Sequence, residues 1–216
     1  SAARAIKDTS NFSAGSLQAS IDLRSGNITR ASEYFLGEGS NTGAAVSLLR
    51  LSEMLMRSSK TDSAMITLSQ AGELFRQSGN LRGTANVQLL KGTILTGRKD
   101  NTGALPLLDS AARAADFPET VWQALYQKGR LLENLGEGRK AIESYRKSVS
   151  VIERIRGGLV TDEFRSIYFD SKREVYDRLI NLLIEADSAV EALQVSERAR
   201  ARAFYDILSV RKINFR

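Results

Sequence analysis

An alanine recurs along this chain in a fixed frame of neighbours, and that recurrence limits the fold more than any other feature. Ala104 and Ala141 each lie twelve residues after a glycine, Gly92 and Gly129, and each glycine follows a lysine, Lys91 and Lys128. Leu95 and Leu132 fall three residues after those glycines, Leu108 and Tyr145 four after the alanines, and Ala111 and Ser148 seven after. Ala64 takes the same frame with Ser52, Leu55, Leu68 and Ala71. More degenerate copies centre on Ala31, with Ala19 and Phe35, and on Ala192, with Leu183 and Ala199. In the last copy Ile180 stands where a small residue is expected. The marker alanines are 33, 40, 37 and 51 residues apart. A small residue on one helix and an alanine on the next let two antiparallel helices approach closely, while the Leu and Tyr positions fill the space between them.

Breakers fall where such pairs would turn: Gly26-Asn27, Gly37 to Gly43, Ser59 to Thr61, Gly79-Asn80, Asp100 to Gly103, Gly136 to Gly138 and Gly157-Gly158. Pro118 suits a first helical turn, and Pro106 is close enough to a helix start to be tolerated. Ser188 with Glu191 reads as a capping box. The predicted helices are 11–24, 28–36, 44–57, 62–77, 81–97, 101–115, 119–135, 139–156, 162–186 and 188–209. No stretch alternates with period two, and 2 prolines with 7% aromatics favour helix over sheet. The expectation is an all-α chain of about five helix pairs, near 11–36, 44–77, 81–115, 119–156 and 162–209, within one domain over 1–216. Phe164, Ile167, Tyr168, Val175, Leu179, Leu182 and Leu183 keep a three-four spacing that lengthens the last pair.

The marker frame resembles the tetratricopeptide repeat, whose consensus unit is about 34 residues. The C-terminal third is more specific. Ala141-Ile142-Glu143-Ser144-Tyr145, then Ile152 to Arg156, Phe164-Arg165 and Tyr176, and finally Glu197 to Phe204 with Ile207-Leu208, are similar to the repeat region that precedes the caspase-like domain of bacterial CHAT proteins. The resemblance implies a right-handed α-solenoid of tetratricopeptide-like pairs. It also implies a region that binds partners or restrains a peptidase whose His-Cys dyad lies in a following domain.

The chain itself has no histidine and no cysteine. That excludes, within it, Ser-His-Asp and Cys-His catalysis, imidazole or thiolate metal sites and disulfides. The reading is therefore non-catalytic, with no cofactor and no metal. Carboxylates such as Glu133, Glu174, Asp177 and Glu185 leave acid–base chemistry open by composition, though nothing selects a pair. Gly92 to Lys99 approaches a phosphate loop but ends in Arg98-Lys99 inside a predicted helix, so nucleotide binding is not expected. The net charge is +6, and four of those charges belong to 195–216. No apolar run approaches the roughly 20 residues that span a bilayer. The chain begins with Ser1 and is read as a fragment of a longer one. A cytoplasmic setting is favoured, and a periplasmic or secreted one stays open if a signal has been removed.

Helical arrays present a face lined by their first helices. The frame puts Arg57, Asn86, Gln123, Tyr126, Arg130, Asn134 and Asn181 there, a mix suited to a peptide backbone with a few anchoring side chains. Arg130 is the one residue that matches the carboxylate clamp of repeat domains that bind chaperone tails. On this assignment Tyr126→Ala with Arg130→Ala is expected to abolish binding without changing the melting. Arg198, Arg200 and Arg202 form a cluster for an interdomain or anionic contact, against the plainer reading of a solvated helix. Nucleic acid is disfavoured, because the basic patch is short and lacks interleaved aromatics. The expected partner is a protein or peptide, the following CHAT domain included. A structural scaffold or oligomerisation array without a groove ligand is the alternative.

Overall fold

A computed structural model describes residues 27–159, 168, 172–197 and 199. The predicted helix 11–24, the first turns of 162–186, and Arg198, Arg200 and Arg202 lie outside the described residues.

The described residues are helical, without a strand among them. The helices are α1 (Ile28–Gly37), α2 (Asn41–Arg57), α3 (Thr61–Gln77), α4 (Leu81–Gly97), α5 (Asn101–Ala112), α6 (Pro118–Asn134), α7 (Gly138–Gly157) and α8 (Arg173–Glu185), followed by α9 (189–197). The marker alanines take the fourth position of α1, α3, α5, α7 and α9. Ala31, Ala64, Ala104 and Ala141 are fully buried and Ala192 nearly so. The frame holds beyond the alanines, since Leu68, Ala71, Leu108, Ala111, Tyr145 and Ser148 have no exposed surface either.

One turn recurs six times. Gly39, Ser59, Gly79, Lys99, Gly136 and Asp187 take positive φ, between 56° and 73°, two residues beyond a helix end. The next amide in each case donates to the carbonyl five residues back: Ser40 to Phe35, Lys60 to Leu55, Asn80 to Phe75, Asp100 to Leu95, Glu137 to Leu132 and Ser188 to Leu183. This closure satisfies the last carbonyls of one helix and aims the chain into the following one. The acceptor is Phe or Leu every time, and Phe75, Leu132 and Leu183 are also buried in the core.

Several helices begin earlier than the sequence suggested. Gly43 reads as a breaker but sits in the first turn of α2, where Ser40 Oγ accepts its N–H at 3.3 Å. A Cβ on Gly43 would come within 2.6 Å of the Phe35 ring, so this glycine serves packing rather than a turn. Asp100 caps α5 in the same way through Gly103. α5 ends at Ala112, not 115. Pro106 lies inside α5, and Pro118 opens α6.

The chain divides into two compact units, Ser1–Ile94 and Leu95–Arg216, with the boundary inside α4. Within each unit the packing is chiefly between helices adjacent in sequence, so cohesion is local. The first unit centres on Ala45, Ala64, Leu68, Ala71, Phe75 and Val87. There α2 and α3 form a hairpin in which Asn41, at the start of one, donates to Gln77, at the end of the other. In the second unit α6 and α7 form the same hairpin. Ser148 Oγ donates to the Trp122 carbonyl at 2.8 Å, and the Tyr145 ring lies so close to Gly129 that a Cβ there would be 2.4 Å from Cε1. Among the described residues no helix is long and apolar enough to cross a membrane.

Candidate partner-binding face

The second unit concentrates its polar chemistry on one stripe of α6 and the helix that meets it. Trp122, Tyr126, Arg130 and Glu133 recur at helical spacing on α6. α7 returns beneath them with Tyr145, whose hydroxyl donates to Glu133 Oε2 at 2.5 Å. The Tyr126 and Tyr145 rings lie 5.9 Å apart and tilted. α8 supplies Arg178, which reaches Glu133 Oε2 at 3.2 Å through Nη1 and Glu174 Oε1 at 3.2 Å through Nε. The Arg130 guanidinium stands 5.9 Å from the Tyr126 ring centroid. Two arginines and two carboxylates are thus held in order around a tyrosine pair.

Burial raises the hydroxyls of this stripe. Tyr126 is pushed up to about 12, by burial first and then by the facing Glu174. Tyr145 rises further for the same reason, with Glu133 adding to it. The Tyr126 hydroxyl and Arg178 hold the Glu174 carboxyl below the usual carboxylate range. Burial works against the Arg178 charge, but Tyr126 and Glu174 outweigh it and hold the guanidinium protonated. Among the described residues the Tyr126 hydroxyl faces these groups without closing a hydrogen bond of full geometry.

The sequence-assigned residues distribute as follows. Arg57, exposed at the end of α2, and half-buried Asn86 on α4 belong to the first unit. Gln123, Tyr126, Arg130 and Asn134 share α6, and Asn181 is exposed on α8. Gln123 is tied to Glu119 at 3.4 Å, whereas Asn134 faces solvent. Tyr126 is only 8% exposed, so truncating it to Ala would open a cavity and lower the melting, contrary to the expectation above. Arg178, Glu119 and Lys172 were not singled out by sequence; each acts through a partner on another helix, and the spacing within one helix carries no trace of such pairs. The segment Gly92 to Gly97 is helical, with Gly92 buried inside α4, so it offers no phosphate loop. Among the described residues no group of three or more carboxylates is placed to hold a metal ion.

Two clefts lie elsewhere on this unit. One of about 390 Å³ is lined by Arg146, Glu153, Tyr176, Leu179, Glu191 and Val195. Its polar groups are engaged: Arg146 pairs with Glu191 through two bonds, and the Tyr176 hydroxyl donates to Glu153 at 2.6 Å. The other, about 310 Å³, has Leu105, Leu125, Leu132 and Leu135 beneath Lys128, Lys140 and Lys147. Each of those lysines is paired with an acidic neighbour.

The fold is similar to that in the crystal structure of BtubC (BKLC) from P. vanneervenii, with a TM-score of 0.62 over 87% of this chain and 78% of that one, at 12% identity. At that identity the likeness is one of fold alone. No protein-family model matches the chain, and no curated protein matches its sequence.

Proposed function

We propose that these helices form a right-handed solenoid of about five tetratricopeptide-like pairs, the last elongated, and that the chain is a non-catalytic region binding a protein or peptide partner on the face of its first helices. The observation that carries this reading is the ordered stripe of Tyr126, Arg130, Glu133, Glu174 and Arg178. Charged side chains already fixed by packing lose little freedom when a partner binds, and Tyr and Arg are the residues most often found as binding anchors. Exposed Asn134 and Asn181 flank the stripe with free amide groups suited to a peptide backbone. Two of the four carboxylates named for acid–base chemistry, Glu133 and Glu174, are committed to Arg178 and Tyr145, which favours recognition over catalysis.

Helix starts at 61, 101 and 138 set pairs of 40 and 37 residues, longer than the 34-residue consensus because three of their four helices run 17 residues. The resemblance to the region ahead of CHAT peptidase domains supports a regulatory role, with binding at the first-helix face coupled to a following domain through the C-terminal arginines. A coding sequence that continues past Arg216 into a segment bearing a His-Cys dyad is the expected finding; one that continues into unrelated sequence removes that part of the proposal.

The binding claim is tested by selecting displayed peptides on the immobilised chain. Arg130→Ala with Asn134→Ala should weaken the selected peptides at least tenfold, while Arg154→Ala, an exposed cation on α7, should not. Equal binding by all variants, or oligomerisation with no peptide selected, points instead to the scaffold reading.

A further inference from the structure

The N-cap of α8 is a lysine, an unusual choice on two counts. Lys172 has no side-chain oxygen to accept the free N–H groups of the first turn, and its charge lies at the positive end of the helix dipole. Its ammonium is nonetheless well housed. Nζ stands 4.7 Å from the Trp122 ring centroid and 4.8 Å from that of Tyr168, with Glu119 Oε1 at 3.5 Å. The Lys172 side chain is 13% exposed while that of Glu119 is 51% exposed, so the enclosure opens to solvent on its carboxylate side. The Tyr168 hydroxyl donates to Glu119 Oε2 at 3.0 Å and fixes that side. The Trp122 backbone is fixed by Ser148, and among the described residues its buried indole N–H lies toward the Tyr168 hydroxyl without closing a hydrogen bond of full geometry.

Two aromatic faces and a carboxylate around one ammonium are the chemistry that recognises alkylammonium groups. We propose that Trp122, Tyr168 and Glu119 form a cage for a lysyl or N-methylated lysyl side chain of a protein partner, and that Lys172 occupies it as a built-in competitor. The inference goes beyond the partner-binding face and does not rest on it, since Tyr126, Arg130 and Glu133 take no part in the cage. A partner lysine must displace a tethered one, whose effective concentration is of millimolar order. The cage would therefore answer only to a ligand held nearby by other contacts.

Trp122 is the only tryptophan in the chain, so its emission reports the cage directly. Lys172→Ala, checked for intact helicity by circular dichroism, is titrated with n-butylammonium chloride against sodium chloride of equal ionic strength. A saturable emission change is expected, with an apparent affinity at least tenfold above that of the unaltered chain and with sodium inert. Glu119→Gln in the same background should weaken it. No saturable change in the folded variant, or equal changes in variant and unaltered chain, overturns the proposal. Should the variant not fold, the lysine ε-methylene resonances of the unaltered chain decide. One set should be shifted upfield by the two rings and return to solvent values at roughly 100 mM butylammonium, well above the tethered concentration. An unshifted set, or one that butylammonium leaves in place, overturns the proposal equally.

Discussion

Gly129 and Gly97 make opposite demands on the same substitution. Both are helical, and alanine in place of a helical glycine ordinarily gains about 0.5–1 kcal/mol through lost unfolded-state entropy. Gly97 has nothing within 4 Å of a built Cβ, so Gly97→Ala should raise stability by about that amount. A Cβ on Gly129 would sit 2.4 Å from the Tyr145 ring, which is fully buried and anchored through its hydroxyl to Glu133. The ring cannot retreat, and Gly129→Ala should destabilise by roughly 1–3 kcal/mol. The turns offer a third test. Lys99 holds φ of 61° at a position where Gly39, Gly79 and Gly136 relieve the same strain, so Lys99→Gly should gain about 1 kcal/mol. Urea denaturation of the three variants reads all of these. The small-residue frame was legible in the sequence for this very reason: where helices approach within a side chain's thickness, only Gly, Ala or Ser fits, and the restriction shows at a fixed offset.

The hairpin of α6 and α7 depends on polar groups as well as on close contact. Tyr145→Phe removes the hydrogen bond to the Glu133 carboxylate and should cost about 1.5–3 kcal/mol, the range for a bond to a charged group. Ser148→Ala, which loses the neutral bond to the Trp122 carbonyl, should cost about 1 kcal/mol. The raised tyrosines fix the sign of the alkaline response. The folded state keeps Tyr126 and Tyr145 protonated above the ordinary value of 10.0. The unfolded chain then binds fewer protons, so their contribution is whole below about pH 10 and declines as the pH rises through that of the folded groups. Tyr168 adds to this, raised by burial and by Glu119. Stability measured from pH 9 to 12 should fall, with tyrosinate absorbance appearing together with unfolding; in Tyr145→Phe the fall should be shallower. A flat profile, or tyrosinate absorbance that precedes unfolding, contradicts the burial described here. Among the described residues the predicted helices fall where the structure has them, but several of their ends differ. Gly43 and Gly103 look like breakers in sequence, whereas Ser40 and Asp100 cap helices that run on through them.

Across the whole chain, the features read correctly are those that repeat, and the features missed are those that occur once. The all-α class followed from the frame and its breakers. The second unit's chemistry did not follow, because Glu133 meets Arg178 across 45 residues and Tyr168 meets Glu119 across 49, separations to which no periodicity points. Tyr126 lies on the helix the sequence assigned it to, but its burial depends on α7 and α8 closing around it. On the proposed function, the stripe on α6 and α8 receives a protein partner. Hydrogen–deuterium exchange of the chain with and without a selected peptide tests it most directly. Added protection should concentrate on Gln123 to Asn134 and on Arg173 to Asn181, leaving the amides around Arg154 on α7 unchanged. Protection confined to α7, α9 or the first unit would contradict the account.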